Sequence, residues 1–308
     1  MEPITIIMLI VSMAACLMGY LLKKVYTVRS SGGMTGVYVY TALGCIVSAI
    51  VLVIWGGVGE TSVYTCLMGV LFGLAISLMD IFMIKAFSLG PMSFTTVIVS
   101  FSTVLTALSG FFFFKESIGV LQIFGILLMV GSFLFATEKK SDEKKGGFLW
   151  LLFSLLAFLC SGSIGFMQKI HQSSAHKAEL NAFLVISFAV SFVFSAILAV
   201  ISMKKEKMPL IEKTKEGRVY WLLLIIMVVN GICVAANHKL NLALAGVIPS
   251  AVFFPIVNGG NLVLTMLSAL FIFRERLMKR QWVGVILGVL SVLFLCMPTG
   301  WILSFSLK

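Results

Sequence analysis

The hydrophobic residues of the chain fall into long runs separated by short polar segments. Each run holds about 20 residues, the length that an α-helix needs to cross a hydrocarbon core roughly 30 Å thick. Because the connecting segments are short, we expect an all-α membrane protein without a separate soluble domain. The ten predicted membrane-spanning helices lie at residues 4–22, 34–55, 63–87, 91–114, 117–136, 148–170, 180–203, 219–240, 247–272 and 279–297.

Composition agrees with this pattern. Hydrophobic residues make up 60% of the chain, charged residues only 11%, and the mean hydropathy is +1.11. These values lie outside the range of soluble globular domains. The six cysteines fall in six different predicted spans and lack the spacing of metal sites. We therefore expect no disulfide, no metal site and no cofactor.

A second pattern is an internal repeat. Residues 104–135 and 263–294 align without a gap at an offset of 159 positions, and 15 of the 32 aligned residues are identical. Shared hydrophobicity does not explain the polar identities. An internal duplication in so apolar a chain is typical of transporters built from two halves, with the substrate site where the halves meet. The polar identities are Thr106/Thr265, Ser109/Ser268, Glu116/Glu275, Gln122/Gln281 and Ser132/Ser291.

The basic residues indicate the orientation of the spans. The formal net charge is +11, and 17 lysines and arginines lie in the loops after spans 1, 5, 7 and 9, whereas the opposite loops and the C-terminus hold five. Since cytoplasmic loops retain positive charge, we expect both termini on the outside. This distribution explains the net charge without a nucleic-acid partner.

An odd number of spans in each half places the second half upside down in the membrane. The sequence therefore predicts ten transmembrane helices in a five-plus-five inverted repeat. The first repeat is residues 1–136, the cytoplasmic linker is residues 137–147, and the second, inverted repeat is residues 148–308.

Several motifs together resemble one known family. They are Gly90-Pro91 between spans 3 and 4, echoed by Gly246 and Pro249; Glu116 at the end of span 4; and the pairs Gln122/Gly125 and Gln281/Gly284 in spans 5 and 10. With ten short spans, they resemble the EamA-type permeases of the drug/metabolite transporter superfamily. The resemblance implies secondary transport of small metabolites by alternating access, often as export, through a cavity lined by both halves.

Small polar residues form a stripe along span 4, and the stripe is repeated along span 9. The helical spacing puts each set on one face, and polar groups inside a bilayer must face protein or a water-filled cavity. They could bind a substrate, or they could hydrogen-bond between packed helices. The candidate substrate contacts are Ser102, Thr106, Asn258, Asn261 and Thr265, with Ser109 and Ser268 completing the stripes.

Asp80 is the only carboxylate well inside a predicted span. A charge at this depth costs free energy and points to a functional site. We consider Asp80 a substrate counter-ion or a proton-coupling group. The alternative is an ion pair with Lys85, although a spacing of five residues separates the two around the helix.

Span 8 adds Asn230 and Asn237 as candidate substrate contacts. It ends near His238, which we expect to be solvated close to the interface. Lys24 and Lys169 end spans 1 and 6, and we expect both to extend towards the interface.

Glu116 and its repeat counterpart Glu275 follow a basic residue at helix junctions. A carboxylate is stabilised near the positive end of a helix. We therefore expect each of them to cap the helix that follows it in the sequence.

Other functions have less support. Prenyltransferase-like enzymes need paired aspartate motifs for Mg²⁺ and diphosphate, and metalloproteases need HExxH; the sequence has neither. A channel or membrane sensor is the main alternative. The sequence favours a non-enzymatic carrier in the cytoplasmic membrane, a monomer or homodimer embedded in the lipid bilayer. It would export a small polar or amphipathic metabolite (amino-acid-like, amine or drug-like), with H⁺ as the candidate coupling ion.

Overall fold

Nearly the whole described part of the protein is helical. The computed structural model describes residues 2–29, 33–89, 95, 98–116, 118–136, 147–206, 221–272, 278–296 and 304–305. The helices are α1 Pro3–Arg29, α2 Gly33–Gly56, α3 Val63–Leu89, α4 Ser102–Phe114, α5 Val120–Ala136, α6 Phe148–Ser173, α7 Leu180–Glu206, α8 Trp221–Ala245, α9 Ser250–Phe271 and α10 Lys279–Cys296. A 3₁₀ helix spans Lys177–Glu179, and two short antiparallel strands pair, β1 Ile118–Gly119 and β2 Ser304–Phe305.

The length and composition of the helices support a multi-pass membrane protein. Among the described residues, six helices are long and apolar enough to cross a membrane. Large apolar side chains are exposed along them; Ile54, for example, is 81% exposed. Such surfaces are unfavourable in water and expected against lipid. The six segments are Pro3–Lys23, Thr35–Gly56, Val63–Met83, Phe148–Ser173, Lys177–Lys205 and Trp221–Ala245, and shorter apolar helices lie at Ile98–Phe114, Val120–Phe135 and Ser250–Leu264.

The chain divides into two compact units. The first contains Met1–Ser77 and His171–Ala243, and the second contains Leu78–Ile170 and Leu244–Lys308. Each unit thus combines segments from both halves of the sequence. Helices of the first half pack within a unit on helices of the second half, so the units are distinct from the predicted repeats.

In the first unit, α2 packs along α7, which is the predicted counterpart of α2 in the second repeat. Thr35 Oγ1 and Ser202 Oγ share a hydrogen bond of 2.7 Å near one end. Near the other end, Asn181 Nδ2 donates to the carbonyl of Leu52 over 2.8 Å. The beginning of α2 therefore contacts the end of α7, and the two helices run antiparallel.

In the second unit, α5 packs along its predicted counterpart α10. Ser132 Oγ donates to the carbonyl of Gly284 over 2.7 Å, and Ser291 Oγ donates to the carbonyl of Gly125 over 2.7 Å. The two bonds are equivalent, because Ser291 lies 159 positions after Ser132 and Gly284 lies 159 positions after Gly125. These reciprocal bonds also make α5 and α10 antiparallel.

The same unit brings α4 against α9, a third pair of predicted counterparts. Asn258 on α9 bonds to Thr103 near the start of α4, while Ser250 at the start of α9 bonds to Glu116 just after α4. This pair is antiparallel as well.

The repeated glutamines have a local role at helix starts. Gln122 Oε1 accepts a hydrogen bond of 3.1 Å from the N–H of Gly119, and Gln281 Oε1 accepts one of 2.9 Å from the N–H of Met278. Both glutamines occupy the third position of their helices and reach back to the residue that precedes the helix, as in a capping box. Helix capping therefore accounts for this identity between the two repeats.

Candidate functional site

The polar stripe of α4 lies in the second unit and is buried. Ser102 Oγ shares a hydrogen bond of 2.8 Å with Ser161 Oγ on α6. Thr106 Oγ1 donates to the carbonyl of Thr103 over 3.0 Å, and Ser109 Oγ donates to the carbonyl of Thr106 over 2.7 Å. The first hydroxyl of the stripe thus joins two helices, and the other two bond within α4.

The predicted stripe of α9 contacts α4 at Thr103, which is not one of the predicted site residues. Asn258 Nδ2 donates to Thr103 Oγ1 over 2.9 Å, while the Asn258 side chain remains exposed. Asn261 is buried, and its Oδ1 has no hydrogen-bond partner among the described residues. The helical position of Thr265 is described, but its side chain lies outside the described part of the structure.

We group these residues as a polar patch, defined as Ser102, Thr103, Thr106, Ser161 and Asn258, with Asn261 about one helical turn beyond Asn258 on α9. The patch consists of hydroxyl and amide groups and contains no charged side chain. A buried acceptor without a partner costs free energy, so Asn261 Oδ1 would gain from a ligand that donates a hydrogen bond. The patch is suited to a polar ligand with N–H or O–H groups.

The backbone of α9 is weakened beside the patch. Pro255 lies inside the helix and has no N–H to donate to the carbonyl of Ala251. Gly259 and Gly260 follow, and glycine lowers helix stability relative to alanine. The first turn of α9 is consequently less firmly tied to the rest of the helix than in an uninterrupted helix.

A buried ion pair lies at the beginning of α9. Glu116 Oε1 and Lys169 Nζ are 2.6 Å apart, and the side chains of Lys169 and Glu116 are only 9% and 14% exposed. Lys169 Nζ also donates to the carbonyls of Ala245 over 3.0 Å and Ile248 over 3.3 Å. The expectation that Lys169 extends to the interface is therefore wrong, because its ammonium group is held inside the protein by three oxygen atoms.

The second oxygen of Glu116 caps a different helix from the one expected. Glu116 Oε2 accepts a hydrogen bond of 2.6 Å from the backbone N–H of Ser250, the first residue of α9. The expectation that Glu116 caps the following helix, α5, is wrong, because the chain turns its carboxylate towards α9. Glu275 and the side chain of Lys24 lie outside the described part of the structure.

Two local features allow this turn. Lys115 adopts the left-handed conformation at φ 54° and ends α4, after which the N–H of Glu116 donates back to the carbonyl of Gly110 over 3.1 Å. A Cβ at Gly110 would collide with Glu116 Oε2 and would lie 2.7 Å from Ser250 Cβ. Glycine at position 110 therefore makes room for the carboxylate.

In the first unit, the asparagines of α8 pack against α1. Asn237 Nδ2 donates to the carbonyl of Ser12 over 2.9 Å, and Ser12 Oγ donates to Asn241 Oδ1 over 2.6 Å. Asn230 is buried, and Cβ atoms built at Gly19 and Gly44 would lie 3.4 Å and 3.3 Å from its amide. The amide of Asn237 is thus engaged in helix packing in this conformation.

Asp80 lies on α3 in the second unit and is half-buried. It makes no hydrogen bond or ion pair with any residue that the structure describes. Lys85 is exposed on the same helix. A half-buried carboxylate that bonds to no described residue is a candidate site for a proton or for a cationic ligand.

His238 on α8 has different surroundings from those expected. Its Nδ1 is buried and has no hydrogen-bond partner in the described part of the chain. The rings of Phe72 and Phe188 lie nearly perpendicular to the imidazole, with centroids 6.2 Å and 5.3 Å away. The expectation of a solvated imidazole is therefore wrong for this nitrogen.

No protein-family model and no curated protein matches the chain. Among solved structures, the crystal structure of another protein is similar, with a TM-score of 0.75 at 12% sequence identity. The match covers 96% of this chain and 97% of that one. At this identity the likeness shows the fold alone, which recurs in a solved protein of nearly the same length.

Proposed function

We propose that the protein is a secondary transporter that moves a small polar or amphipathic metabolite across the cytoplasmic membrane by alternating access. The direction is export, and the substrate is amino-acid-like, an amine or a drug-like molecule. The protein works without a cofactor, as a monomer or homodimer in the lipid bilayer. The motif resemblance to EamA-type permeases of the drug/metabolite transporter superfamily is one support.

The observation that carries the proposal is the antiparallel packing of counterpart helices. The bonds Ser132–Gly284 and Ser291–Gly125 are equivalent: shifting both residues of one bond by 159 positions, in opposite directions, gives the other. The pairs α2/α7 and α4/α9 are antiparallel as well. These contacts favour the five-plus-five inverted repeat with ten spans, because an inverted second repeat must run its helices in the opposite direction. Alternating-access carriers use this symmetry to exchange inward-open and outward-open states.

The polar patch supports a substrate site where α4 of the first repeat meets α9 of the second. We assign substrate contacts to Ser102, Thr106, Asn258 and Asn261, and we add Thr265 because it continues the same helix face. The exposed amide of Asn258 offers a donor to a ligand, and the Oδ1 of Asn261, which has no partner among the described residues, offers an acceptor.

The remaining candidates have different roles in this proposal. Asp80 couples transport to H⁺, since its carboxylate is half-buried and bonds to no described residue. Asn230 and Asn237 contact substrate only in a conformation in which the bonds between Asn237 and Ser12 have opened. The orientation with both termini outside follows from the 17 basic residues of one set of loops.

A thermal-shift screen of the purified full-length protein tests the substrate class. The screen compares amino acids, nucleosides, amines and sugar acids, because a ligand that binds the folded state raises the melting temperature in proportion to the logarithm of its concentration. We expect a concentration-dependent rise with a neutral, zwitterionic or amine compound that the variant Asn261→Leu loses. A rise with sugar acids alone, or one that Asn261→Leu retains, would contradict the assignment of the patch.

A further inference from the structure

We propose that Glu116 and Lys169 are positioning residues for the substrate site: together they clamp the beginning of α9 and fix the direction in which Asn258 and Asn261 point. The clamp is defined as the Glu116–Lys169 ion pair with its bonds to Ser250, Ala245 and Ile248. Its effect on transport rests on the proposed function, whereas its effect on α9 does not.

The clamp holds both ends of the α8–α9 connection. Lys169 Nζ binds the carbonyl of Ala245, the last residue of α8, and the carbonyl of Ile248 in the turn. Glu116 Oε2 binds the N–H of Ser250, the first residue of α9. Each charge lies at the helix end that favours it, since carbonyl groups at a C-terminus attract a cation and N–H groups at an N-terminus attract an anion.

The charges of Glu116 and Lys169 depend on each other, because little water reaches either side chain. Both side chains are nearly buried, and a buried charge without a partner is strongly unfavourable. The pair therefore couples three segments that are distant in sequence, namely the α4–α5 junction, α6 and the α8–α9 turn. Loss of either charge leaves the other one unpaired and releases its contacts to the turn.

The position of the clamp along α9 explains why it acts on the polar patch. α9 is attached to α4 at Ser250 through Glu116 and again at Asn258 through Thr103. These points are eight residues apart, about 12 Å along a helix. Two hydrogen-bonded attachment points restrict rotation of α9 about its axis more than one does. Pro255 lies between them and weakens the helix, so the first turn depends on the external contacts.

Hydrogen exchange followed by mass spectrometry tests the clamp without a substrate. The full-length protein is placed in nanodiscs of phosphatidylethanolamine and phosphatidylglycerol, and exchange is compared for peptides from α9 and from α7. The variants are Glu116→Gln and Lys169→Met, with Glu60→Gln and Lys177→Met as matched controls because both residues are exposed. We expect about tenfold faster exchange at residues 250–258 in the clamp variants, the size of a lost helix cap, and no change in α7.

The conservative variants Glu116→Asp and Lys169→Arg should restore most of the protection. If either clamp variant does not fold, Gly110→Ala displaces the carboxylate without removing a charge and should give the same local increase. Hydrogen exchange of α9 at the parent rate in the clamp variants, or an equal increase in α7, would contradict the proposed clamp.

Transport kinetics test the link to the substrate site. With the compound that the thermal-shift screen identifies, Glu116→Gln should raise the KM of counterflow about tenfold and leave the maximal rate unchanged, because substrate binding loses its preorganised contacts. Glu116→Asp should return KM towards the parent value. An unchanged KM would overturn the positioning role. Absence of counterflow in the parent protein would instead count against the proposed function and leave the exchange result standing.

Discussion

Ser132 on α5 donates its hydroxyl hydrogen bond to the carbonyl of Gly284 on α10 over 2.7 Å. Ser291 and Gly125, the equivalents of these two residues 159 positions away, form the same bond in the opposite direction. The two similar segments of the sequence thus make the same contact with each other twice.

The two bonds should contribute equally to stability. Ser132→Ala and Ser291→Ala each remove one hydroxyl donor between helices, and such a bond contributes about 0.6 kcal/mol. We expect similar, small decreases in melting temperature for the two variants in detergent, with a larger decrease for the double variant. A loss confined to one of the two single variants would contradict the equivalence of the bonds.

The asparagines of α9 should be needed for transport and much less for folding. Asn258→Leu removes the bond to Thr103, which contributes about 0.6 kcal/mol, and Asn261→Leu removes an amide whose Oδ1 has no described partner. We expect both variants to be inserted and folded, as judged by size-exclusion profile and melting temperature, and to be inactive in transport. Full transport by both variants would mean that the polar stripe serves only to pack helices together.

Asp80 should couple transport to protons. Asp80→Asn keeps the shape of the side chain but removes its ability to bind and release a proton. We expect this variant to lose accumulation driven by a pH gradient and to retain exchange of substrate for substrate, while Asp80→Glu keeps partial accumulation. The measurement is uptake into proteoliposomes with and without a pH step. If Asp80→Asn accumulates substrate under a pH gradient as the parent does, Asp80 has a structural role and does not couple transport to protons.

The C-terminus should lie outside the cytoplasm. Of the basic residues in loops and at the C-terminus, 17 lie on the predicted cytoplasmic side and five on the other. An alkaline phosphatase fused after Lys308 should be active, and a green fluorescent protein fused there should remain dark. The reverse result would overturn the orientation while leaving the helical fold intact.

The sequence predicted an all-α membrane-type protein because hydrophobic length and period are local signals. Most runs of about 20 apolar residues correspond to helices whose ends differ by a few residues; the run at 219–240, for example, became Trp221–Ala245. Two differ by more: α1 continues to Arg29 beyond its predicted end at 22, and α4 begins at Ser102 rather than at 91. The antiparallel contacts of α5 and α10 are made by identical residues of the repeated segment, while the inverted repeat as a whole stays a prediction. The glutamines of the repeat are explained by caps within their own helices.

The sequence did not predict contacts between residues that are distant in the chain. The burial of Lys169 depends on Glu116, 53 positions earlier, and on the end of α8. A lysine near a helix end has the same local pattern whether it extends to the interface or enters an ion pair. His238 was misjudged for the same reason, because Phe72 and Phe188 lie on other helices. Thr103 was missed because it lies one position from the regular stripe on α4.

Counterflow in proteoliposomes tests the central claim, that the protein is a carrier, most directly. Vesicles containing the purified protein are preloaded with the unlabelled compound from the thermal-shift screen and diluted into a trace of its labelled form; protein-free vesicles and the variant Asn258→Leu are the controls. A carrier exchanges substrate at a saturable rate, so labelled compound should accumulate transiently above its external concentration in vesicles with the parent protein and in neither control. Flux that rises linearly with concentration and shows no transient accumulation would contradict the carrier mechanism and indicate a channel.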